Sequence, residues 1–211
     1  SWISAGVTSV DLTGASGLSV TNYTSSFGGT SAATPIVAGV VGLILDVNPY
    51  LGWRDVQHLL ADTAAQNDPG DPGWFNNGAG LHFNHNYGFG RVDAAAAVAY
   101  AATRINVPVE AAPLTNSEAV ATPIPDNTPA GISRSLAISG SPNFVAEHVE
   151  VTVNVTHTFR GDLKFTLTAP SGTVSTIGSQ RWDDGGANFS NWMFTSVAHM
   201  GEDPNGTWTL N

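Results

Sequence analysis

Cysteine is absent from this 211-residue chain, so no disulfide and no thiolate metal site can form. That absence suits a bacterial secreted enzyme as well as a cytosolic one. Basic residues are scarce too. Only 7 Lys plus Arg stand against 17 Asp plus Glu, a formal net charge of −10. This balance argues against a nucleic-acid or anionic-membrane binder and favours basic partners. A run of about 18 apolar residues, the length that spans a bilayer, is also missing. The stretch from Ile36 to Leu45 is interrupted and too short, so no membrane partner is expected. There is no signal-peptide pattern, and Ser1-Trp2-Ile3 reads as mid-domain sequence, which places any targeting segment upstream. What the chain does have is 42% hydrophobic residues, enough to fill the core of one large domain or two small ones.

Two regions of different pattern flank a stretch, residues 105–131, that holds Pro108, Pro113, Pro123, Pro125 and Pro129. Neither a helix nor a central strand tolerates that proline density. Before it the periodicity is helical. Residues 32–45 are apolar on all sides, 54–65 are amphipathic, and 92–102 are built of Ala and Val. A helix apolar all round is expected to be buried. After the proline-rich stretch, Val149, Val151, Val153 and Val155 alternate with Glu150, Thr152 and Asn154, the pattern of a half-buried strand. Leu163, Phe165, Leu167 and Ala169 repeat it, and Pro170-Ser171-Gly172 supplies a turn. The expected organisation is an α/β part over residues 1–104, a linker over 105–131, and an all-β sandwich or jelly roll over 132–211.

One hydroxyl is placed for chemistry. Phe27-Gly28-Gly29-Thr30-Ser31-Ala32-Ala33-Thr34-Pro35 joins a glycine-rich turn to the apolar helix and sets Ser31 at its N-terminus. Unpaired first-turn N–H groups and the helix dipole stabilise negative charge there, as an oxyanion requires. Small residues at Ala32 and Ala33 keep the approach clear, and Pro35 deletes one backbone donor near the helix end. The plainer alternative is that Thr30 or Ser31 caps a core helix, the commoner fate of such residues. An α/β-hydrolase elbow is excluded, because it needs glycine where Ala33 stands.

The run from Gly29 to Pro35 resembles the Gly-Thr-Ser-x-Ala-x-Pro signature around the nucleophile of subtilisin-like serine proteases. Two further segments, from Trp53 to Leu60 and from Asn86 to Ala94, resemble those that close the catalytic domain of kexin and furin. Gly161-Asp162-Leu163, the run from Ala169 to Thr173, Asn191-Trp192-Met193-Phe194 and the run from Gly201 to Trp208 resemble the P domain that comes after it. The resemblance covers nearly the whole chain. It implies the C-terminal part of a doubly wound parallel-sheet domain followed by a P domain, both truncated, the second before its last strand. The implied activity is endopeptidase cleavage after basic residues, with Ser31 as nucleophile, peptides or proteins as substrates, and an extracellular or periplasmic location. A non-catalytic P-domain module that binds or stabilises another protein is the alternative.

Serine needs a base and a carboxylate to orient it. In the resembled family both precede the serine, whereas His58, His82, His85, His148, His157 and His199 all lie after Ser31. The only acid before it, Asp11, is expected to be a loop residue. The 211 residues alone are therefore expected to be inactive, and the upstream part of the same domain is their expected partner. No cofactor is expected in these residues, while the family resemblance allows calcium in the complete parent. Weaker signals have plain readings. His82 and His85 lack a third ligand at a fixed spacing, which leaves loop hydrogen bonding ahead of zinc. The acidic turns at residues 67–73 and 183–185 match no EF-hand spacing. Trp182, Trp192 and Trp208 are expected to pack in a core or between domains and not to form a sugar platform.

Overall fold

The computed structural model describes residues 6–140 and 142–211, so the opening Ser1-Trp2-Ile3 lies outside the described residues. The chain divides into two compact units that depart from chain order: residues 6–64 with 92–108, and residues 65–91 with 109–211. Segment 65–91, expected to fold with the first 104 residues, thus lies in the second unit.

In the first unit, strands β1 (Val7–Val10) and β2 (Tyr23–Phe27) pair antiparallel, with Val10 opposite Tyr23. Asp11 lies in the loop between them and accepts hydrogen bonds from the backbone of Leu12 and Ser19, each at 2.8 Å. Helix α1 (Thr30–Val47) comes next, then α2 (Trp53–Asp62) and α3 (Ala94–Ala101). Ile44, Leu51, Leu59, Ala97 and Ala101 form the core among them. The helices are tied at their ends. Asn48 Nδ2 donates to the carbonyl of Ala101 at 3.0 Å, and Asp55 Oδ2 accepts from the backbone of Gly52 at 2.7 Å.

Periodicity located these helices to within a few residues but misjudged the burial of α1. Only Ala32 and Ile44 of α1 are buried, while Ile36, Leu43 and Val47 are exposed. The expected doubly wound sheet is not seen either, since every named strand pairing among the described residues is antiparallel. Helix α3 packs along α1, and no parallel sheet is present among the described residues to cover Ile36, Leu43 and Val47.

The second unit is a β-sandwich. One sheet has the order β5 (Arg134–Ile138), β10 (Gly206–Leu210), β7 (Phe165–Thr168), β8 (Val174–Gly178). The other pairs β6 (Val149–Val155) with β9 (Phe189–Ser196). The two sheets share a core in which Phe165 of the first meets Val153, Phe189 and Phe194 of the second. Alternation in β6 is as expected, with Val153 buried and Glu150, Thr152 and Asn154 exposed. A small hairpin of β3 (Phe75–Asn76) and β4 (His82–Phe83) belongs to this unit. Residues 105–131 contain no helix or strand.

Candidate active site

Glycine decides how α1 begins. Gly29 is its N-cap, with φ 76° and ψ −170°, a backbone region open to glycine and strained for other residues. No side chain caps the helix, so neither Thr30 nor Ser31 is spent on its first turn. Ala32 N and Ala33 N both reach the Gly29 carbonyl, at 3.1 and 3.3 Å. Thr34 Oγ1 turns back to the Thr30 carbonyl at 2.9 Å, and Ser31 itself is exposed. With Thr30 as the first helical residue, Pro35 falls beyond the first turn. Its missing N–H is the one that would bond the Ser31 carbonyl four residues earlier. The proline therefore removes a ladder bond at the serine itself and not one of the donors that every helix leaves unpaired.

A second constellation looks more like a triad than anything around Ser31. Ser175 Oγ lies 2.9 Å from His199 Nε2, and His199 Nδ1 lies 3.2 Å from Glu202 Oε2. Ser175 and His199 have 0% exposure and Glu202 has 2%, so no peptide can reach the hydroxyl. Every ring nitrogen is satisfied, and the His199 ring packs edge-on to Trp208 at 5.0 Å. Burial alone would push Glu202 up. Hydrogen bonds from His199, Thr173 and Gly78 outweigh it and hold the carboxyl below the ordinary glutamate value of 4.5. Nothing in the spacing of these residues distinguished them. Glu202 lies inside the run from Gly201 to Trp208 that resembles the P domain, but its partners come from segments that only the fold brings together.

The weaker sequence signals are mostly absorbed by local contacts. His85 Nε2 accepts from Thr176 N at 3.1 Å, and burial together with the charge of Lys164 lowers its pKa. His82 packs edge-on to Trp74 at 5.4 Å, but its buried Nε2 has no hydrogen-bond partner, so the loop hydrogen bonding expected of it is not seen. Among the described residues no three His, Asp or Glu side chains converge as a metal group. In the turn at 67–73, Asp71 Oδ1 accepts from Gly73 N at 2.7 Å and Asn84 Nδ2 at 2.9 Å. In the turn at 183–185, Asp184 is held between Arg160 Nε at 3.0 Å and Arg181 Nη2 at 2.7 Å, which lowers its pKa from 3.8 to about 2. Trp208 is buried as expected, whereas Trp192 touches Phe189 and Arg160 but stays 40% exposed. Trp182 departs from that expectation: it is 95% exposed, on a loop whose neighbours bind each other and not its ring.

Two family models match the chain, the subtilase family over residues 4–90 and the proprotein convertase P-domain over residues 146–211. Residues 4–90 thus belong to the subtilase family and residues 146–211 to the proprotein convertase P-domain family. Among its relatives, a PC3-like endoprotease of Hydra vulgaris is 41% identical over 191 residues, covering 89% of this chain and 27% of that protein. Endoprotease bli-4 of Caenorhabditis elegans is 40% identical, covering 86% of this chain and 20% of the relative. Neuroendocrine convertase 2 of Homo sapiens is 39% identical, covering 98% of this chain and 32% of the relative. The chain thus spans about a fifth to a third of these relatives' lengths. The crystal structure of a serine protease of Aeromonas sobria superposes with a TM-score of 0.76 at 27% identity, over 90% of this chain and 38% of that one. The same enzyme in complex with a chaperone gives a TM-score of 0.72.

The subtilase match contains Ser31 and all of α1. Against the expectation that no run here reaches bilayer length, that helix is long and apolar enough to cross a membrane by length and composition, and it lies within the subtilase match. The buried chain of Ser175, His199 and Glu202 lies wholly within the P domain. The β3–β4 hairpin belongs to the subtilase match in sequence and to the P-domain unit in space.

Proposed function

We propose that the whole protein is a serine endopeptidase in which Ser31 is the nucleophile. The observation that carries this reading is an exposed hydroxyl in the first turn of α1, within Gly29-Thr30-Ser31-Ala32-Ala33-Thr34-Pro35, with glycine and not the hydroxyl serving as cap. Ser31 Oγ forms a bond to the peptide carbonyl carbon while its proton passes to a histidine supplied from upstream. The carbonyl oxygen takes the negative charge beside the first-turn N–H groups. The histidine then gives its proton to the leaving amine, and water attacks the acyl-enzyme to regenerate the hydroxyl. An upstream aspartate orients the histidine. His199 is not that base, because it is sealed in the P domain.

Peptides with basic residues before the scissile bond suit a net charge of −10 and are the class the sequence resemblance implies. We further propose an extracellular or periplasmic location and a P domain that closes as a jelly roll with strands beyond residue 211. The deciding experiment is to treat the whole protein with a fluorophosphonate probe and map the adduct. The reading requires labelling at Ser31 and its loss in Ser31→Ala. Labelling elsewhere, or none with an intact upstream His and Asp, favours the non-catalytic module. The 211-residue chain by itself is expected to hydrolyse no dibasic peptide amide.

A further inference from the structure

The buried chain in the P domain reaches no solvent, but it does reach the turn between β3 and β4. Glu202 Oε1 accepts from Gly78 N at 2.6 Å and from Thr173 Oγ1 at 2.5 Å. Its Oε2 is left to His199 Nδ1. His199 Nε2 lies 2.9 Å from Ser175 Oγ, which accepts from Ser196 Oγ at 3.2 Å. Asn77, 5% exposed, completes the contact. Its Nδ2 donates to the carbonyls of Ala198 and Met200 at 3.0 and 2.9 Å, and its Oδ1 accepts from Ala79 N and Leu81 N. A Cβ on Gly78 would stand 2.5 Å from Ser171 Cβ and 3.2 Å from Glu202 Oε1. Residue 78 must therefore be glycine for the turn to come this close.

We propose that the Glu202 carboxylate, aimed by His199, is a proton-operated clamp that holds the turn at residues 77–80 on the P domain and releases it when protonated. An ionised carboxylate offers only acceptors, and hydrogen bonds to it are about twice as strong as neutral ones. A proton on Oε1 would face the N–H of Gly78 and the hydroxyl of Thr173, and one on Oε2 would face the N–H of His199. Of the residues that touch Glu202 or His199, Thr173, Ser175 and Trp208 are neutral. The nearby titratable groups are His199 itself, Glu147, next to the Ala146 that bonds the Glu202 backbone, His85, bonded to Thr176 N next to Ser175, Lys164, whose charge acts on His85, and Asp203, bonded to Asn205. The clamp is complete above the ordinary glutamate value of 4.5 and weakens as pH falls below it, because the folded state binds this proton less readily than the unfolded chain.

The inference does not depend on the protease reading, and its test needs no activity. Amide hydrogen exchange of the whole protein, corrected for the intrinsic pH dependence, compares Gly78, Ala79 and Leu81 with strands β6 and β7. The expected result is a loss of protection of about tenfold or more in the turn as pH falls below the glutamate range, with the strands unchanged. Gly78→Ala should release the turn at neutral pH and abolish its pH response. Glu202→Gln should give a release that no longer depends on pH. A wild-type turn whose protection does not change with pH while the strands stay closed overturns the clamp. So does one that opens only together with β6 and β7, or a turn left closed by Gly78→Ala.

Discussion

At Gly29 the backbone holds a conformation that costs other residues about 1–3 kcal/mol. Gly29→Ala is expected to destabilise the whole protein by that amount in chemical denaturation and to reduce probe labelling at Ser31, because α1 would start differently. Ser31→Ala should abolish labelling and leave stability within about 0.5 kcal/mol, since the side chain is exposed. Asp184 makes a prediction in pH. Hydrogen bonding to Arg160 comes first among the causes that lower its folded pKa to about 2, so its contribution is present above 3.8 and is lost as pH falls towards 2. An NMR titration should find that low value, and Asp184→Asn should flatten the stability profile over the same window. The nucleophile candidate was readable at this scale because its signature is contiguous. Glu202 and Asn77 were not, because their meaning depends on partners up to 124 residues away.

Among the elements, α1 and α2 show what packing adds to periodicity. The apolar stripe of α1 was legible, but its burial was not, because burial belongs to the neighbours and not to the helix. Expressed alone, the first 104 residues are expected to give low soluble yield and no sharp, reversible melt, since Ile36, Leu43 and Val47 stay exposed. Replacing those three with polar residues should raise the yield. Asp55 at the start of α2 is 3% exposed and accepts from Gly52 N, Asn106 Nδ2 and Val107 N, joining that helix to the chain beyond α3. Asp55→Ala leaves those donors without their acceptor and should cost about 2–4 kcal/mol in urea denaturation.

Across the whole molecule, residues 65–91 precede the proline-rich stretch in sequence yet fold with the sandwich strands on its far side. Limited proteolysis should cut first within 109–130, which is mostly exposed and has no helix or strand. The nicked products should still elute together in size-exclusion chromatography, because the N-terminal product keeps the hairpin that Glu202 and Asn77 hold in the sandwich.

The amino-acid order by itself determined the helices, the alternating strands, the structureless proline-rich stretch and the serine signature. Each is a property of neighbours along the chain, set by side-chain period and backbone sterics. Only the tertiary structure decided that α1 is mostly uncovered, that a hairpin crosses from one family segment to the other, and that a Ser–His–Glu series is sealed away from substrate. Those outcomes depend on which surfaces meet and how much water they exclude, and neither is written in local sequence.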